Sequence, residues 1–179
     1  MAILKNVKVN WVKLDPEHPV LNKMDPAKPK KQWELQIETE DKAVRKEWLD
    51  LGLKVKTVRE DPSDDESKIL KYTANLRKMA TKEDKPAPPV QVVDAKGNDF
   101  DPNTIGNGSI ANIRLFQSPY ESDGVKKIRN TLMGMQMVKV LKYVSKPMEN
   151  FDELDTETEV IEPVETTDSA VTASDDSDY

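Results

Sequence analysis

The chain has 179 residues, enough for one ordinary domain, and is 34% charged and only 36% hydrophobic. It has no cysteine and a single histidine, which excludes disulfides and thiolate metal sites and leaves too few ligands for a zinc centre. The formal charge of −6 hides two opposed regions: all 27 Lys and Arg and 21 of the 33 acidic residues precede Glu149, and the other 12 acidic residues follow, so a body of +6 carries a tail of −12.

From the N-terminus, Leu4 to Leu14 alternates. Val7, Val9 and Trp11 share one face and Lys8 and Asn10 the other, the pattern of a half-buried strand with Trp11 in the core. Residues 15–31 carry Pro16, Pro19, Pro26 and Pro29 and read as a loop, since proline removes a ladder donor. WELQIET forms the next strand, with Trp33, Leu35 and Ile37 opposite Glu34, Gln36 and Glu38. Asp41 reads as a helix N-cap; Val44, Trp48 and Leu51 make one helical stripe, and Gly52 stops it. The three tryptophans are all expected in the core.

A short strand, LKVKTV, puts Lys54 and Lys56 on one side. After the polar loop EDPSDDES, Ile69 to Arg77 alternates Leu70, Tyr72, Ala74 and Leu76 against Lys71, Thr73, Asn75 and Arg77. A charged, Pro-rich connection over 80–89 leads to a short strand and a turn at Lys96-Gly97-Asn98. Gly106 to Ser109 reads as a flexible bend before a strand that sets Ile110, Asn112, Arg114 and Phe116 against Ala111, Ile113 and Leu115. The last structured segment spans about 131–144, with Met137, Lys139, Leu141 and Tyr143 on one face. At least five strands and one main helix between early strands are expected. From Glu149 on, apolar residues are sparse and periodicity is lost, so 149–179 reads as a disordered acidic tail beside a domain over 1–148.

Enzyme chemistry finds little support. His18 lies in a Pro-rich loop with no nucleophile motif around it. Gly106-Asn107-Gly108-Ser109 lacks the Lys-Ser/Thr of a phosphate loop, and Asp61, Asp64, Asp65 and Glu66 miss the spacing of a calcium loop. No cofactor or metal is called for. No stretch approaches the roughly 20 apolar residues of a membrane span, and no signal peptide is recognisable; a cytoplasmic setting is expected.

Binding to single-stranded nucleic acid asks for cations along a groove and aromatic rings on which bases stack. Arg114 and Phe116, with Asn112, offer a cation, a ring and an amide on one strand face. Tyr72, Lys71, Arg77 and Lys139 are the other leading contacts, with Lys54, Lys56 and Tyr143 behind them. A protein-interaction adaptor and an RNA-binding OB protein are the alternatives.

The segment GSIANIRLFQSPYESDGVKKIRNTLMGMQMVKVLKYV resembles the final strands of bacteriophage single-stranded DNA-binding proteins. The resemblance rests on Gly108-Ser109, the turn at Asp123-Gly124, Gln136 to Lys139, and a tail closing Asp175-Asp176-Ser177-Asp178-Tyr179, where the family's best-known members end in Phe. It implies a mainly β fold, a five-stranded Greek-key OB barrel with one main helix. It also implies coating of single-stranded DNA in phage replication, recombination and repair, in the host cytoplasm. The acidic tail is then expected to compete with DNA. Asp175, Asp176, Asp178 and Tyr179 would engage a replication protein such as a DNA polymerase, or a neighbouring copy in a homodimer.

Overall fold

The structure, a computed structural model, describes residues 1–22 and 26–143, which belong to one compact unit. The expected disordered tail, 149–179, lies outside the described residues.

Strand β1 (Ala2–Lys13) is followed by the short β2 (Val20–Asn22) and by β3 (Lys30–Thr39). Helix α1 (Lys42–Asp50) then leads to β4 (Val55–Arg59) and β5 (Ile69–Met79). A two-residue hairpin, β6 (Thr81–Lys82) and β7 (Lys85–Pro86), precedes β8 (Gln91–Val93). The long strands β9 (Ser109–Ser122) and β10 (Val125–Lys139) complete the order. The main sheet runs β4-β5-β3-β1-β9-β10-β8, with β2 continuing the β1 side of β3. β10 also lies alongside β5, so β5-β3-β1-β9-β10 curls round into the five-stranded mainly β architecture of an OB barrel, with α1 between β3 and β4. Among the described residues no helix is long and apolar enough to cross a membrane.

The alternation read from the sequence builds the core. Val7, Val9, Leu35, Ile37, Ala74, Leu76, Ala111, Ile113, Leu115 and Leu132 are buried from five adjoining strands. Trp33 and Trp48 join them, and the indole of Trp33 donates to the Asp15 carbonyl at 2.8 Å. Trp11 does not. It is 63% exposed, with φ +52°, at a bulge where the register of β1 against β3 shifts between Asn10 and Lys13. The extra residue changes the parity of the strand, so Val12 packs against the core where Trp11 was expected.

Helix α1 begins where Asp41 accepts from the Ala43 amide at 2.7 Å. It ends in a Schellman motif: the Gly52 amide donates to Leu49 and the Leu53 amide to Trp48, both at 2.9 Å, around Gly52 at φ +82°. The side chains of Gln117 and Asn130 reach the Leu51 carbonyl, at 3.1 and 2.9 Å, and fasten this end of the helix to the β9–β10 hairpin.

Two expectations change in the last third. The strand that begins at Ser109 runs on through Ser122, turns at Asp123 and Gly124, both at positive φ, and returns along β10 from Val125. Gly106 to Ser109 is not a loose bend. The Gly106 amide donates to Leu141 at 2.6 Å, and a Cβ on Gly106 would stand 2.5 Å from that carbonyl oxygen. The Gly108 amide meets both the Val9 carbonyl and Asn10 Oδ1 at 2.9 Å.

Candidate nucleic-acid interface

The barrel's outer face carries the polar side chains left over from the alternation. Across it the register aligns Lys56 with Thr73, Thr73 with Glu38, Glu38 with Lys8, and Lys8 with Ile110. Gln36 donates to Asn75 at 3.2 Å, and Asn112 donates to Gln136 at 3.1 Å.

At its centre sits Glu38, only 8% exposed. Lys71 lies 2.6 Å from its Oε2, Lys8 lies 3.0 Å from its Oε1, and Asn10 Nδ2 donates to Oε2 at 2.6 Å. Burial pushes the carboxyl upward, but the hydrogen bonds and charges of Lys71 and Lys8 outweigh that and hold it below its ordinary value. The hydrogen bond and charge of Glu38 raise Lys8 in return. The ammonium of Lys71, singled out as a ligand contact, is thus already committed to a carboxylate in this structure.

Lys54, Lys56 and Arg77 come together. They line one shallow cleft over β3, β4 and β5 with Gln32, Glu34, Thr73 and Asn75. Arg114 and Phe116 lie on another part of the face. Phe116 is 46% exposed and stays out of the core. Arg114 donates to Gln91 Oε1 at 3.0 Å and lies over Gly134, where a Cβ would stand 3.1 Å from its guanidinium. Lys139 is exposed across β9 from Lys8; both pair in register with Ile110.

Two assignments are corrected. Tyr72 is buried at 4%, with the Arg45 guanidinium 5.0 Å from its ring centroid, so neither face of its ring is offered to a base. Lys139 and Tyr143 do not share a strand face with Met137: the register shifts between Met137 and Lys139, leaving Met137 buried and Lys139 exposed, and β10 ends there. Tyr143 is exposed beyond it, its amide donating to Thr104 at 3.1 Å. Asp175, Asp176, Asp178 and Tyr179 fall outside the described residues.

Sequence reasoning missed the exposure of Trp11. The signal was present: Val7 and Val9 are odd-numbered, Val12 and Leu14 even-numbered, and all four sit against the core. That change of parity requires a bulge between Val9 and Val12.

A mainly β barrel of OB type, with a polar, cation-bearing outer face, is therefore the class of protein described by these residues, and its structural neighbours are single-stranded DNA-binding proteins of phages. They include that of bacteriophage Enc34 in complex with ssDNA, at TM-score 0.47 and 15% identity over 82% of this chain and 88% of that one. Another is gp2.5 of bacteriophage T7, at TM-score 0.44 and 14% identity over 90% and 99%. No family model and no curated protein matches the sequence.

Proposed function

We propose that the chain binds single-stranded DNA with little sequence preference, through phosphate pairing and base stacking on the outer face of the barrel. The observation that carries this reading is the cleft where Lys54, Lys56 and Arg77 converge on a face that also exposes Arg114 and Phe116. Flexible single strands need both elements: cations to follow the backbone and rings that accept any base. A duplex keeps its bases stacked and offers this face only phosphates.

The residues put forward for the contact are Arg114, Phe116, Arg77, Lys54 and Lys56, with Lys139 and Tyr143 at the margin. Lys71 joins only when phosphate displaces Glu38. The role extends to coating exposed strands during phage DNA replication, recombination and repair. The tail of −12 competes for the same cations and recruits replication proteins, with Asp175, Asp176, Asp178 and Tyr179 as its contact end. A gel shift with oligo(dT), duplex DNA and RNA tests the reading. Tight binding of oligo(dT) and weak binding of duplex are expected; a preference for RNA or no shift at all overturns it.

A further inference from the structure

We propose that Trp11 is a base-stacking residue of the single-stranded DNA site, an assignment that rests on the function proposed above. Its conformation is unfavourable on two counts. A bulky residue at φ +52° occupies a region in which glycine or asparagine is at ease and a branched or aromatic side chain is rare. An indole left 63% exposed forgoes the burial that its apolar surface favours. The bulge seats Val12 against the core in place of the indole, so the ring itself serves no packing role there. Backbone outliers of this kind persist where the surroundings hold them, and they gather at binding sites.

The surroundings do hold it. The Trp11 amide donates to Asn107 Oδ1 at 2.8 Å. One residue earlier, Asn10 accepts from the Gly108 amide at 2.9 Å with Oδ1 while its Nδ2 donates to Glu38. The bulge is therefore bolted to the 106–109 loop on one side and to the polar centre of the outer face on the other, so the ring is presented on a fixed support.

Its position suits the ligand. Lys13, two residues on, pairs in register with Glu34, and Glu34 pairs with Arg77, so the bulge lies at the same end of the face as the cleft of Lys54, Lys56 and Arg77. A ring at the same end of the face as a cluster of cations fits a strand whose phosphates are paired in the cleft while one of its bases lies flat on the indole. Stacking on a ring reads no base edge, so the contact serves any sequence.

The test uses the full chain and its Trp11→Gly and Trp11→Phe variants, titrated with a labelled oligo(dT) and melted in parallel. Glycine suits the bulge, so Trp11→Gly is expected to melt no earlier than the parent while its affinity falls by about 5- to 150-fold, the range of one missing stack. Trp11→Phe retains most of the affinity. Trp33 and Trp48 are buried, so oligo(dT) is expected to quench the parent's exposed tryptophan emission and to leave that of Trp11→Phe unchanged. Unchanged affinity of Trp11→Gly for oligo(dT), with a parent that binds it, overturns the assignment and leaves the function standing. If that variant instead changes the chain's sedimentation, Trp11 is a protein contact, and the assignment falls in the same way. A parent that fails to bind oligo(dT) overturns both.

Discussion

Lys71 Nζ stands 2.6 Å from Oε2 of Glu38, and that one carboxylate, buried between β1 and β5, also engages Lys8 and Asn10. An anion placed under the proposed DNA path holds two of the face's cations. DNA phosphate must compete with it for Lys8 and Lys71, so Glu38 trades binding strength for a pre-ordered surface in the free protein. Removing its charge separates the two roles.

Glu38→Gln keeps the shape and can still accept from Asn10, but it releases both lysines. Affinity for oligo(dT) is expected to rise and its salt dependence to steepen by roughly 0.7 in slope for each additional phosphate neutralised. Stability is expected to fall by about 1.5–3 kcal/mol, the usual range for hydrogen bonds to charged groups. The pH profile follows from the directions of the shifts. Glu38 is held below its ordinary 4.5, so its contribution is complete above that value and is lost as pH falls through the lowered one. Lys8 is raised above 10.5, so its share is complete below that value and disappears as pH rises through the raised one. Urea midpoints of parent and variant should therefore differ most near neutrality and converge at both extremes. A difference that persists undiminished at about pH 3, below the ordinary carboxylate range, contradicts the ion-pair account.

Phe116→Ala is expected to weaken oligo(dT) binding by about 1–3 kcal/mol and to leave the melting temperature almost unmoved. Leu115→Ala, next to it but fully buried, should behave in the opposite way and cost about 2–5 kcal/mol of stability. Anisotropy titrations and thermal melts of the two variants distinguish a stacking ring from a core ring. Early melting of Phe116→Ala with normal binding would move that ring into the core.

The contrast between these neighbours shows what the sequence makes legible. Strict alternation from Ile110 to Phe116 separates inside from outside by position, with Asn112 and Arg114 marking the outer side, and Val9, Ile37 and Ala74 lie on the inner side of their strands in the same way. Tyr72 sits on the apolar side of that alternation, and its burial follows; its lysine and arginine neighbours made it resemble a platform. Alternation fails where a strand gains a residue, which is why Trp11 emerges and Val12 turns in. It is silent between Ser118 and Asn130, where few apolar residues mark the hairpin. The cluster on Glu38 was illegible for another reason: Lys8, Glu38 and Lys71 meet only through the pairing of three strands, and register is a property of the whole sheet.

Lys54→Gln combined with Lys56→Gln removes two cations from the cleft without touching the core. The expected result is weaker oligo(dT) binding at every sequence tested, with a salt slope shallower by roughly 0.7 for each phosphate no longer neutralised. An unaltered slope places the DNA elsewhere on the face.

Deleting residues 149–179 removes 12 negative charges and is expected to raise oligo(dT) affinity, most at low salt, where screening is weakest. Deleting Tyr179 alone leaves the tail's acidic side chains in place. Competition with DNA should survive, while calorimetry against a replication partner such as a polymerase should show a marked loss. Full-strength partner binding by that deletion leaves the tail as bulk charge without an aromatic anchor.

The clamp on the last carbonyl of α1 bears on the order in which the molecule assembles. A helix of nine residues is too short to persist by itself in water. Its closing carbonyl, on Leu51, waits for side chains 66 and 79 positions further along the chain. The hairpin that supplies them lies far along the chain from the helix, so this clamp closes only once β9 and β10 stand beside the end of α1. Such dependence on distant partners belongs to slow folders, in the millisecond-to-second range. Trp48, the buried residue of the helix, tests whether α1 docks late: truncating it should then hasten unfolding many-fold and hardly touch the rate of folding.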